Sequence, residues 1–257
     1  MSPDLAVALG GGGAFGIAFQ LGFARGLASE GVSLEGCPMI GVSAGTWTAA
    51  ALATTTPVEA IIEVWTDPAR LHGVRPADVA SAAGAVFGTA CDDNVTGVAV
   101  RLPSARRVLL PGVEHPLAEI VGASSSPPYL AVPYRLRGER LYDAGVVFNT
   151  CADLAPRART LLVMAPLGVG ALGWQGLLWE SRLRSEVALW RLRRRGRVVL
   201  VRPSAELSQT GASRWRDLLD GHLMAATYAT AYRDGQRQAG RLARRLAPGI
   251  DAVPPPS

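Results

Sequence analysis

A chain of 257 residues, 49% apolar and with a formal charge of +5, is long enough to bury a sizeable core as one large α/β domain. It has no lysine, and its arginines are spread over much of the chain, which argues against a nucleic-acid partner, since that role needs a clustered basic face with interleaved aromatics. Cys37, Cys91 and Cys151 lie far apart with no CxxC, a pattern of reduced thiols in a cytoplasm rather than of a disulfide framework.

In chain order, Leu5–Leu9 is a short continuous apolar run ending at glycine, as a buried parallel strand would be. Leu5–Ala24 is apolar enough to raise a leader or a membrane span. Neither is expected, because Asp4 is the only charged side chain ahead of it and four adjacent glycines make a poor membrane helix. Those glycines, Gly10 to Gly13, bring unpaired backbone N–H groups to a helix N-terminus, which suits an anion. A helix is expected over Phe15–Ser29, a second strand over Pro38–Val42, and helices over Thr46–Thr54 and Pro57–Trp65. From Leu71 to Pro111 there is no clear periodicity. Pro116–Gly122 reads as a short helix, Ala123–Pro128 as a loop, and Tyr134–Tyr142 as a hairpin around Arg137-Gly138. Strands are expected over Thr160–Ala165 and Arg197–Arg202, with a helix over Trp174–Arg195 between them. Ser213–Leu246 reads as mostly helix, broken near Gly221 and Gly235. Alternating strand and helix predicts a parallel sheet covered on both faces. The expected organisation is one domain over residues 1–250 and a disordered Pro-rich tail over 251–257.

Gly41-Val42-Ser43-Ala44-Gly45 lies between a strand and a helix, where Gly-x-Ser-x-Gly forms a sharp turn that exposes the serine hydroxyl. A nucleophilic serine and a donor loop are two parts of an acyl hydrolase; the third is a base. Two rivals compete. Gly11-x-Gly13-x-x-Gly16 also fits a dinucleotide fingerprint with Glu35 as the ribose acid, but Glu35 precedes the second strand instead of ending it. A Ser–Asp–His triad of the common α/β-hydrolase kind would use His222, which falls in a helical stretch, while His72 and His115 lack obvious partners. The remaining candidate base is Asp143. It stands at a strand end with Ala144 and Gly145 letting the chain turn, and burial among Tyr142, Val146 and Val147 would raise its pKa toward a useful value. On this reading Ser43 and Asp143 sit just past the carboxyl ends of strands in a parallel sheet and meet at one edge.

The glycine loop, the Ser43 turn and Asp143-Ala144-Gly145, in this order, resemble the patatin-like phospholipases. Gly122–Pro128 is similar to that family's Ala-Ser-x-x-x-Pro block, and Asn149–Leu154 to the segment that follows the aspartate in bacterial members. The resemblance implies a three-layer α/β/α fold with a mostly parallel sheet. It also implies a Ser–Asp dyad of Ser43 and Asp143, and an oxyanion hole of backbone N–H groups from Gly11, Gly12, Gly13 and Ala14 with Ala44 as a further donor. Gly16, Gly41, Gly45, Ala144 and Gly145 complete the motifs. The implied activity is hydrolysis of a carboxylic ester of a lipid or lipid-like molecule, with an acyltransferase or a non-catalytic binding protein as alternatives. Two departures stand out: Phe15 replaces a common basic residue, and Asp-Ala-Gly replaces Asp-Gly-Gly or Asp-Gly-Ala. No metal or organic cofactor is expected, there being no ligand-spaced cluster. The Trp174–Arg195 helix carries two apolar stripes, Trp179/Leu183/Val187/Trp190 and Leu178/Leu189/Leu192. Packing on two sides, in the core or in a homodimer, is therefore expected over a membrane role, although Arg191–Arg197 leaves room for transient contact with acidic lipid.

Overall fold

The computed structural model describes residues 3–67, 76–128, 132–168, 172–211 and 214–246. The Pro-rich tail expected over 251–257 and His72 lie outside the described residues. Five strands form the parallel body of one sheet: β8 (Arg197–Val201), β7 (Thr160–Met164), β1 (Leu5–Leu9), β2 (Met39–Val42) and β3 (Val95–Arg101), in that spatial order. Beyond β3 the sheet turns antiparallel through β4 (Arg106–Pro111) and the hairpin of β5 (Tyr134–Leu136) and β6 (Glu139–Asp143).

Side chains alternate across the sheet and divide the core in two. Val7, Leu9, Met39 and Val95 face a thick helical layer, whereas Ala6, Ala8, Ile40 and Val98 face a thinner one. The thick layer contains α1 (Gly13–Ser29), α2 (Ala44–Ala53), α3 (Val58–Thr66), α4 (Pro76–Phe87), α5 (Leu117–Ser124) and α8 (Met224–Leu246). The thin layer is α6 (Gly176–Arg194), whose Leu183 and Trp190 pack with Ala152 and Ala155. α7 (Ala205–Gly211) follows β8. The result is the expected three-layer α/β/α architecture with a mostly parallel central sheet. α1 is apolar on nearly every side because it is sandwiched: the sheet lies beneath it and α8 presses on it at Gly22 and Gly26.

Four readings are corrected. α4, β3 and β4 occupy the stretch that showed no periodicity; β3 is buried along most of its length, so it lacks a polar alternation, and Gly97 interrupts its apolar run. α8 runs through Gly235 without a break, the interruption falling at the tight turn Gly221–Leu223. The core does not cover both stripes of α6: within this chain Leu183 and Trp190 are buried, whereas Leu178, Leu189 and Leu192 are exposed. Finally, β6 is antiparallel to β3, so Asp143 does not lie at the same edge of a parallel sheet as Ser43.

That last difference positions the site. β2 pairs along β3 as far as Val42 beside Val98, and the chain then leaves the sheet at Ser43. The next place along that side of β3, beside Ala99, is taken by Asp143 arriving from the opposite direction. β4 fills the other side of β3 over the same residues. Two strand ends therefore meet head-on, and the residues at both C-termini are brought together.

Candidate active site

Ser43 is the hinge between β2 and α2, with φ 52° and ψ −117°. A non-glycine residue in such a region costs about 1–3 kcal/mol and persists only where the surroundings enforce it. Here the enforcement is visible. A Cβ at Gly45 would lie 2.0 Å from the Leu9 carbonyl oxygen, and one at Gly41 would lie 2.6 Å from the Thr46 nitrogen, so only glycine lets α2 fold back this closely over β1 and β2. The Ser43 N–H donates to Ser124 Oγ at 2.9 Å; Ser124 Oγ in turn donates to the Val98 carbonyl at 2.9 Å and lies 2.9 Å from Thr46 Oγ1.

Asp143 is buried. Its Oδ1 accepts the Gly145 N–H at 2.6 Å, and its own N–H donates to the Ser126 carbonyl at 2.9 Å. Burial pushes the carboxyl up to about 6, against the opposing pull of the Ser43 hydroxyl and the Gly145 N–H, both of which favour the charged form. Ser43 and Asp143 are thus neighbours, and the C-terminal end of α5 holds both: Ser124, its last residue, grips the serine backbone, and Ser126, just beyond it, the aspartate backbone.

The glycine loop leaves β1 and crosses beside them. Gly12 has φ 151° and Gly13 φ 57°, and a Cβ on Gly13 would lie 2.3 Å from the Leu218 carbonyl oxygen. Among the described residues no backbone hydrogen bond engages the N–H of Gly12, Gly13, Ala14 or Ala44. The Gly11 N–H, by contrast, donates to the Asn149 carbonyl at 3.3 Å, which takes it out of the expected donor set. Its place in the motif has another reason: a Cβ there would stand 3.7 Å from Ser43 Cβ and 3.8 Å from Gly145 Cα, so the bare glycine keeps space open beside the serine. Gly16 opposes Ala44 where α1 meets α2, and Ala144 is fully buried under the turn. Ala144 itself is not among the residues of positive φ, so alanine is unstrained there.

These groups open into a cavity of about 480 Å³, a size usual for small-molecule sites. Its wall is apolar, with Ile17, Trp47, Trp65, Trp179, Leu218 and Leu219 prominent, and Ser43, Asp143 and the Gly12–Gly13 turn stand in it. Ser125, whose buried hydroxyl finds no protein partner among the described residues, also lines it. Phe15 does not. It is buried in the first turn of α1 against Leu167, Leu172 and Leu218, so it braces the cavity from behind.

The rival constellations are not assembled. His115 is buried beside Glu119, His222 is exposed in the Gly221–Leu223 turn, and neither lines the cavity. Glu35 is exposed ahead of β2, at the opposite end of the strand from the glycine loop. Among the described residues no group of three or more His, Cys, Asp or Glu is placed to hold a metal ion.

Sequence reasoning missed one residue that shapes the site. Glu186 of α6 is buried and accepts three bonds, from Asn149 N–H at 2.7 Å, Thr150 N–H at 2.8 Å and Thr150 Oγ1 at 2.8 Å. It fixes the segment whose Asn149 carbonyl holds Gly11. The available signal was Glu186 on the same helical stripe as Leu183 and Trp190, which marks an inward-facing charge.

No family model matches the chain, and no curated protein matches it. Among solved structures, VipD from Legionella pneumophila aligns over 95% of this chain and 74% of its own, at 14% identity and a TM-score of 0.43.

Proposed function

We propose that this chain is a patatin-like serine acyl hydrolase that cleaves carboxylic esters of lipid or lipid-like molecules. The observation that carries the reading is the head-on meeting of β2 and β6, which puts a serine on a strained turn beside a buried carboxylate of raised pKa, at the wall of an apolar cavity. Asp143 takes the proton of the Ser43 hydroxyl as Oγ attacks the ester carbonyl. The N–H groups of Gly12, Gly13 and Ala14, with Ala44, face the developing oxyanion; such donors are worth about 3–4 kcal/mol each in a transition state. The proton passes to the leaving alkoxide, and water then attacks the acyl-enzyme with Asp143 again as base. An apolar wall suits an acyl chain, and neither a metal nor an organic cofactor enters this chemistry. Three free cysteines accord with a reducing cytoplasm.

A fluorophosphonate probe, with a panel of fatty-acyl esters, tests the reading. Wild type should be labelled and should turn over at least one ester class; Ser43→Ala should do neither while remaining folded. Ester turnover that survives in purified Ser43→Ala would remove the assignment.

A further inference from the structure

The mouth of the cavity carries a surface that catalysis does not explain. Two segments meet there, one entering α6 and one spanning residues 214–219. They are joined by the edge contact of Trp179 with Trp215 (centroids 5.1 Å apart) and by a 2.8 Å bond from Trp215 Nε1 to Gln175 Oε1. Around this junction large apolar side chains point to solvent: Trp174 is 79% exposed, Leu177 58%, Leu178 52% and Trp215 45%. The same face continues along α6 to Leu192, 77% exposed.

The charges on these segments are arranged one way. Both acids of α6 are turned inward, Glu186 onto the Asn149–Thr150 backbone and Glu180 onto Arg184 and Arg202. Asp217 and Asp220 cap local N–H groups, those of Arg214 and His222. What α6 leaves to solvent on this side is leucine, serine and alanine, bordered by Arg184 and Arg191, which recur on the stripe of Leu177; Arg216 lines the mouth, two residues after Arg214. A helix face of leucine and arginine without acids, with tryptophans at one end, is the pattern of an element lying in a membrane interface, where indole rings sit at headgroup level and arginines meet anionic lipid.

We infer that this face docks on an anionic lipid surface, with Trp174, Leu177 and Leu178 inserted between headgroups and the α6 arginines on their phosphates. The cavity mouth would then open against the bilayer, and an ester would pass from lipid to Ser43 without crossing water. The benefit of such docking rests on the acyl-hydrolase reading, but the docking itself does not.

Flotation of the full chain with vesicles of phosphatidylcholine, and with vesicles of equal parts phosphatidylcholine and phosphatidylglycerol, tests this. Binding to the anionic vesicles, weakened by salt and accompanied by a blue shift of tryptophan fluorescence, is expected; so is weak binding to the neutral ones. The double variant Trp174→Ser/Leu178→Ser should lose binding by about tenfold or more. Arg184→Gln/Arg191→Gln should lose it on anionic vesicles alone. Both should keep wild-type hydrolysis of a water-soluble short-chain ester, which also reports that they are folded. No binding by wild type, or equal binding by wild type and Trp174→Ser/Leu178→Ser, overturns the inference. A wild-type dimer that the double variant abolishes, without vesicle binding, overturns it in favour of a second copy on this face. Vesicle binding with no esterase activity at all would instead refute the hydrolase reading and leave the docking intact.

Discussion

Burial holds the Asp143 carboxyl at about 6, and two opposite consequences follow from that single shift. As the base of the proposed hydrolysis it must be ionised, so turnover should rise with pH through about 6 and flatten above it. For stability the sign reverses. The folded state binds the proton more tightly than the unfolded chain does, so the stability associated with Asp143 is fully present below about pH 4 and is lost as pH rises through about 6, a difference on the order of 2–3 kcal/mol. Asp143→Asn should therefore melt higher than wild type at neutral pH, with turnover reduced by about a hundred- to ten-thousandfold. Melting curves at two pH values beside kcat measure both, and a variant that is inactive but less stable at neutral pH would contradict this account. Ser124 offers a second test at this scale. Its hydroxyl satisfies the Ser43 N–H, so Ser124→Ala leaves a buried donor open and should cost about 1–3 kcal/mol in urea unfolding, with kcat falling as the turn relaxes.

At the scale of elements, α6 presents two different faces. Inward, Glu186 clamps the segment after Asp143 and through Asn149 reaches the glycine loop. Glu186→Gln keeps the shape but has one acceptor oxygen for three donors, so a loss of about 2–3 kcal/mol is expected, together with slower turnover at unchanged probe accessibility. Denaturant curves and single-turnover rates would show it; unchanged stability would mean that the clamp is not needed. Outward, the same helix carries the exposed leucines of the proposed docking face. The sequence displays both stripes, but their burial depends on what packs alongside, and among the described residues Leu178 and Leu192 are left exposed.

For the molecule as a whole, the site draws on β1, β2, the C-terminal end of α5 and β6, and it exists only while β3 aligns them. Loss of probe labelling in urea should coincide with loss of helical circular dichroism; labelling that outlasts the global transition would show a site independent of the sheet. The histidines should be dispensable: His115→Gln/His222→Gln should keep turnover within a few-fold, because neither side chain reaches the cavity. A drop of about a thousandfold would instead argue a triad.

The amino-acid order was enough to find the two apolar strands that flank the glycine loop and the serine turn, most of the helices, and the two residues that meet. Strong local causes act there: only glycine fits at Gly41 and Gly45, and a continuous apolar run ending at glycine can be little else than a buried strand. β3 was not legible, since a strand covered on both faces has no alternation to read and Gly97 dilutes its propensity. The direction of β6 was not legible either, because strand polarity depends on which edge of β3 is free, and β2 leaves that edge only where Ser43 bends the chain away. The same dependence on distant packing decided that Gly11 gives its N–H to Asn149, that Phe15 lies behind the cavity, and that one stripe of α6 is left to solvent. Local sequence sets which backbone turns and faces are available; which of them touch is decided by strands a hundred residues apart competing for one edge.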